Sequence, residues 1–149
     1  MILNDLEGLG SEKLRGQNAN RGVHSQQFGV KLGDIRKLAK PLGTNHALAL
    51  DLWQTEVFEA RLLAILIIDP KALAADEVTA LVCANSEMQV ADWLSAYVIK
   101  KHPHKETLRA DWMQAPHPMA ARAGWSLTAE RIEKTPDGLD LPALLDRIE

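Results

Sequence analysis

The stretch SEMQVADWLSAYVIKKH (residues 86–102) decides how the fold of this chain is read. Ser86 and Gln89 have the S-x-x-Q spacing of a capping box, which is typical of a helix start. Apolar residues then recur at the spacing of one helical face, and these are Val90, Leu94, Tyr97 and Val98. Basic residues precede Pro103, as they do at many helix ends. The stretch predicts an amphipathic helix with one buried face.

Asp92 does not fit this pattern, because no basic residue stands three or four positions away to pair with it. Its surroundings resemble two other segments. ARLL at 60–63, ADWL at 91–94 and ARAG at 121–124 each place a charged residue after an alanine. The charged positions are 61, 92 and 122, so they are 31 and 30 residues apart. A period of this size without strand signals is typical of stacked helix pairs.

The repeat predicts that Arg61, Asp92 and Arg122 lie in a row, because equivalent positions of stacked helices fall on one surface. Two interpretations of the row remain open at this stage. In the first, one carboxylate and two guanidiniums form a ligand-binding surface. In the second, the same three groups form a ladder of ion pairs that only joins one repeat to the next.

The rest of the chain also reads as helices separated by turns, and no segment shows the alternation of a half-buried strand. The predicted helices are one that Asp34 caps, one that Thr44 opens, and the segments 56–68, 77–85, 86–102, 105–114, 119–134 and 141–148. The sequence therefore predicts an all-α fold, a right-handed α-α superhelix of stacked helix pairs.

Composition and charge bound the class of protein. The chain has 149 residues, 46% of them hydrophobic, which is enough for one domain with a core. A single cysteine, no signal peptide and no apolar run long enough to cross a membrane predict a cytoplasmic protein. The five histidines are scattered, and we expect neither a metal site nor a cofactor. The net charge of −3 argues against a general nucleic-acid coating protein but allows a local basic surface.

The tryptophans divide into two pairs. Trp53 and Trp112 stand at predicted helix ends, where they are expected to hold repeats together. Trp93 and Trp125 stand close to the charged row. They are interpreted either as core residues or as an aromatic wall that could contact a nucleobase or a sugar.

Four runs taken together resemble the AlkD-like DNA alkylation-repair glycosylases, which are HEAT-like helical solenoids. They are FGVKLGDIRKLAK (28–40), LALDLWQTEVFEARLLAIL (48–66), VAD (90–92) and DWMQAPHPMAARAGW (111–125). The resemblance covers roughly residues 28–131. It implies a DNA repair protein that hydrolyses the N-glycosidic bond of N3- or N7-alkylated purines in duplex DNA, and it implies no metal or cofactor.

The resemblance also implies roles for single residues. Asp92 matches the aspartate of the family's W-D-x-V-D segment, which stands beside the deoxyribose and stabilises the sugar cation. Arg122 matches an arginine that holds a backbone phosphate, and Arg61 is assigned a similar role with less support. Trp93 or Trp125 would stand nearby. A different register of the same segment would place Tyr97 at the catalytic position.

Departures from the family pattern weaken the expected site. Met88 and Gln89 replace the tryptophan and first aspartate of the motif, so the aromatic expected against the lesion is missing. We expect residues 1–149 to form one HEAT-like domain that lacks the family's C-terminal repeats. The unpaired helix at 141–148 would then be half of another pair or a self-association contact. The alternative to a weakened or inactive glycosylase is a non-enzymatic scaffold that binds DNA or a protein.

Overall fold

The computed structural model describes residues 2–20, 27–85 and 87–134, and the regular structure in these ranges is helical, with no strand. Short 3₁₀ turns at Pro70–Ala72 and Ile99–Lys101 separate some helices. The α-helices are α1 (Ile2–Gly8), α2 (Glu12–Asn20), α3 (Leu32–Leu42), α4 (His46–Gln54), α5 (Phe58–Ile67), α6 (Ala75–Ala84), α7 (Met88–Tyr97), α8 (Lys105–Met113) and α9 (Pro118–Lys134). The predicted all-α fold is confirmed. The predicted cap Ser86 and helix 141–148 lie outside the described residues.

The predicted repeat is visible in the way the second helix of each pair packs. α7 lies between α5 and α9, while α4 packs against α5 and α8 packs against α9. Two ion pairs connect α7 and the turn after it to α9, namely Asp92–Arg122 and Lys100–Glu130. The partners are 30 residues apart in both pairs, and the pairs lie eight residues apart on each side, from 92 to 100 and from 122 to 130. α7 and α9 therefore run parallel and in register.

The core is centred on α5, whose sequence FEARLLAILI is apolar on nearly all sides. Most of its residues are fully buried, and α3, α4 and α7 cover it. Trp112 of α8 is also buried, and its indole Nε1 donates a hydrogen bond of 3.0 Å to Thr79 Oγ1 of α6. α9 approaches α8 closely at Gly124, where a Cβ atom would lie 2.9 Å from the Trp112 Cβ.

A buried carboxylate fixes the entry into α3. Glu59 of α5 is 0% exposed, and it accepts hydrogen bonds from the backbone N–H groups of Phe28 (2.8 Å), Gly29 (3.0 Å) and Val30 (3.2 Å). Gly29 has φ +76°, and a Cβ atom there would lie 2.2 Å from the carbonyl oxygen of Ser11. The chain therefore enters α3 through a tight turn, and glycine is required at its centre.

Helix starts differ from the predictions by up to three residues, and the start of α8 at Lys105 agrees with the prediction. The N-cap of α3 is Lys31, so Asp34 lies inside the first turn and is not the cap. The N-cap of α4 is Asn45, whose side chain accepts a hydrogen bond of 3.2 Å from the N–H of Leu48. The predicted helix 86–102 is divided at Val98 (ψ −61°, φ −116°) into α7 and a 3₁₀ turn. Such shifts are expected because cap position depends on local backbone geometry as well as residue type.

Candidate functional site

The second helices of adjacent repeats present two exposed stripes side by side. On α7 the stripe consists of Met88, Asp92 and Ala96, at i, i+4 and i+8. On α9 the corresponding positions are Pro118, Arg122 and Ser126. Each stripe therefore has one charged side chain at its centre, and the neighbouring side chains are apolar or small. Met88 is 52% exposed, which is high for a large apolar residue.

The two central charges meet as the repeat predicts. Arg122 Nη2 donates a hydrogen bond of 3.0 Å to Asp92 Oδ1, and the two side chains are 38% and 61% exposed. This is the one polar contact of Asp92 within the described ranges. An exposed pair of this kind stabilises a protein by about 0–1 kcal/mol, so either partner can exchange it for a ligand at little cost.

A second ion pair joins the 3₁₀ turn after α7 to α9 with the opposite polarity. Lys100 Nζ lies 3.7 Å from Glu130 Oε2, so the base is on the α7 side and the acid is on α9. In the first pair the acid is on α7 and the base is on α9. The charges of the two pairs cancel, so they give the boundary between α7 and α9 no net charge.

Arg61 does not join Asp92 and has a different environment. Its Nε donates to the carbonyl of Trp53 and its Nη1 to the carbonyl of Ala84, both at 3.3 Å. The guanidinium carbon lies 4.5 Å from the centroid of the Trp53 ring. Burial lowers the pKa of Arg61, although an arginine remains charged at any physiological pH. The structure thus joins Asp92 to Arg122. Arg61 instead connects α5 to the C-terminal ends of α4 and α6.

The two tryptophans near the row occupy different settings. Trp93 is only 5% exposed, and the guanidinium carbon of Arg36, from α3, lies 4.7 Å from its ring centroid. Tyr97 meets the same ring edge-on, with the centroids 5.6 Å apart. Trp125 on α9 is half-buried. An aromatic contact of either ring with DNA stays a prediction, and in this structure Arg36 lies on Trp93 where such a ligand would stack.

Arg36 and Glu59 are not among the residues that the sequence pattern predicts. Arg36 lies in the run FGVKLGDIRKLAK, but its contact with a ring 57 positions later leaves no local signal. Glu59 lies in the run that contains EAR, and its partners are backbone N–H groups, which no side-chain pattern displays. The one sequence signal for these residues is that both lie in runs that carry the family resemblance, Arg36 in 28–40 and Glu59 in 48–66.

A small cavity lies beside Arg122. This cavity of about 10 Å³ lies between α6, α7 and α9, bordered by Asn85, Ser95 and Arg122 among others, and it has room for about one water molecule. A nucleobase could not enter it. In the described ranges no three His, Cys, Asp or Glu side chains are placed to share a metal ion, and no helix there is long and apolar enough to cross a membrane.

Comparison with known proteins gives one solved structure and one family. A search of curated proteins found no significant match. The solved structure belongs to "a new family of proteins related to the HEAT-like repeat DNA glycosylases with affinity for branched DNA structures". The two chains are 26% identical with a TM-score of 0.76, over 84% of this chain and 53% of the other, so this chain spans about half the length of that protein. The model of the DNA alkylation repair enzyme family matches residues 2–149, and the chain therefore belongs to that family.

Proposed function

We propose that this protein binds DNA along the exposed stripes of α7 and α9 and hydrolyses the N-glycosidic bond of N3- or N7-alkylated purines. One observation carries the proposal. A carboxylate and a guanidinium lie 3.0 Å apart on an accessible surface, at the positions that resemble the sugar-side aspartate and the phosphate-binding arginine of the family. In a nucleotide the sugar and its phosphate are neighbours, so one pair of adjacent side chains can serve both.

The chemistry needs only water as co-reactant. The bond between the sugar C1′ and the purine nitrogen breaks, and its electron pair passes to the purine, which neutralises the positive charge of the alkylated ring. The sugar is left as an oxocarbenium ion. Asp92 stabilises this developing positive charge, and Arg122 holds a neighbouring phosphate through its planar donors. Water then attacks C1′ and loses a proton, which completes the hydrolysis.

The setting of Asp92 favours a slow enzyme. Its carboxylate is 61% exposed, and charges separated by water interact weakly compared with charges in a dry site. Met88 stands one turn earlier where the family motif has an aromatic residue, so a lesion would have a smaller surface to pack against. Bound DNA would itself have to exclude water from Asp92.

The experiment compares release of 7-methylguanine from methylated duplex DNA by the parent, Asp92→Asn and Asp51→Asn. Asp51 is an exposed aspartate on α4 and serves as the matched control. We expect Asp92→Asn to lose about 10²-fold or more in the single-turnover rate, as for loss of a transition-state partner, and Asp51→Asn to keep the parent rate. Asp92→Asn should bind DNA at least as tightly as the parent, because it removes a negative charge. A parent rate in Asp92→Asn would refute the catalytic role.

A second candidate function is binding of branched DNA without excision. It is favoured by the exposure of Asp92 and by the similarity to a solved protein whose family has affinity for branched DNA structures. For this function we expect the parent to release no base and to bind a three-way junction more tightly than a linear duplex. Arg122→Gln should weaken both kinds of binding. Absence of DNA binding even at low salt would instead support the scaffold that binds a protein.

A further inference from the structure

Two aromatic rings and two cations lie together on the side of α7 that faces α3. Trp93, Tyr97 and Lys101 follow one another at i, i+4 and i+8 along α7 and the 3₁₀ turn after it. Arg36 lies over the Trp93 ring at 4.7 Å, and Lys101 Nζ lies 5.9 Å from the centroid of Tyr97. We call this set the Arg36–Lys101 ladder. It has a cation at each end and the two aromatic rings between them.

Among the described residues, the cations of the ladder have no acidic partner. Arg36 and Lys101 are exposed, and the ring contacts are the interactions they make within the described part of the chain. Arg122 and Lys100, by contrast, are each paired with a carboxylate of a neighbouring element. Within the described residues, Arg36 and Lys101 can therefore bind an anion without first breaking an ion pair.

The rings hold these cations without consuming their hydrogen-bond donors. A guanidinium stacked on an aromatic face keeps its N–H groups pointing outward in its own plane, where they can bind a phosphate. Holding the side chain in one place also reduces the entropy that binding would otherwise cost. The ladder is therefore preorganised for an anion, and its rings are positioning groups rather than stacking platforms.

We propose that Arg36 and Lys101 bind two phosphates of a DNA backbone that runs along the α3 side of α7. This would give the protein a second phosphate track in addition to Arg122, and the inference rests on the proposed DNA binding. Arg36 and Lys101 lie on different rings, whose centroids are 5.6 Å apart. Phosphates of one strand recur about every 3.4 Å along the duplex axis, so the two cations reach different phosphates.

The experiment measures affinity for a linear DNA duplex by fluorescence anisotropy between about 50 mM and 200 mM salt. The variants are Arg36→Gln, Lys101→Gln and the double variant. Each lost phosphate contact is expected to reduce the steepness of log K against log salt by about 0.9, and the double variant should lose about twice that. Lys37→Gln is the matched control, because Lys37 is exposed on α3 and makes no ring contact. The slope for Lys37→Gln should differ from that of the parent by less than half the change expected for one lost phosphate contact.

Two further measurements separate binding from folding and from the proposed function. Arg36→Lys keeps the charge and should keep most of the slope, and thermal unfolding identifies any variant whose fold has changed. If Arg36→Gln and Lys101→Gln keep the parent slope while Arg122→Gln reduces it, the second track is wrong and the proposed DNA binding stands. If the parent itself binds no DNA at low salt, both proposals are wrong.

Discussion

Glu59 and Asp92 are both carboxylates on second helices of the repeat, and the protein uses them in opposite ways. Glu59 is fully buried and accepts three backbone N–H groups from residues 28–30. Asp92 is 61% exposed and accepts one hydrogen bond, from Arg122. The first cannot move without leaving buried donors unpaired, which costs about 1–3 kcal/mol for each group. The second can exchange its partner for a ligand at almost no cost.

The difference separates charged residues of the framework from charged residues that a ligand could reach. A charged residue whose partners are fixed backbone groups belongs to the framework, because its interactions are already complete. A charged residue held by one partly exposed side chain at the surface remains available to a ligand. By this criterion Arg122 and Asp92 resemble each other, whereas Arg61, with two carbonyl acceptors and a ring, is closer to Glu59.

The largest loss of stability is expected when the buried acid, Glu59, is converted to an amide, and the same change at Asp92 is the comparison. Glu59→Gln places an NH₂ group against backbone donors and weakens the hydrogen bonds, so we expect a loss of about 4 kcal/mol in the free energy of unfolding. Asp92→Asn should lose less than about 1 kcal/mol. Urea unfolding followed by circular dichroism measures both. Equal losses for the two variants would contradict the comparison.

A smaller effect is expected from the glycine that faces Glu59. Gly29→Ala introduces a Cβ at φ +76°, and that atom would meet the carbonyl oxygen of Ser11. We expect a loss of about 3 kcal/mol in the free energy of unfolding. Gly33→Ala is the control, because a Cβ there meets nothing within 4 Å and Gly33 lies in α3. It should raise stability by about 0.5–1 kcal/mol, again by urea unfolding. A stable Gly29→Ala variant would mean that the loop tolerates another path.

The smallest effect concerns Glu106, which is intermediate between the two acids. It is 54% exposed and pairs with Arg109 (2.6 Å) and with Arg131. The hydrogen bond from Arg109 is the main cause that lowers the pKa of Glu106, with Arg131 contributing. Because the folded pKa lies below the unfolded value of about 4.3, the stabilisation is present above that pH and is lost as pH falls through the folded pKa.

The measurement for Glu106 is the free energy of unfolding of the parent and Glu106→Gln from neutral to acidic pH. Solvent screening limits the parent's advantage at neutral pH to about 1 kcal/mol. That advantage should disappear once Glu106 is protonated in the folded protein. An advantage that does not change with pH would show that the charge of Glu106 contributes nothing.

The sequence predicted the parts of the molecule that depend on periodicity. The spacing of 61, 92 and 122 placed α5, α7 and α9 side by side, and it placed Asp92 next to Arg122. It did not predict that Arg61 turns away to backbone carbonyls, because acceptors of that kind are present along the whole chain. It also missed the reach of Arg36 from α3 to Trp93, since such contacts depend on how two distant helices pack.

The matched spacing of the Asp92–Arg122 and Lys100–Glu130 pairs has a consequence for how the sequence of such a protein can evolve. Because α7 and α9 run parallel and in register, whichever residue stands at position 92 or 122 lies on the same surface. At 92 and 122 that position is accessible, so under the proposed function replacing an acid by a base would alter which ligand is bound while leaving the core untouched. The proposed ligand preference can therefore change while the scaffold that carries it is kept.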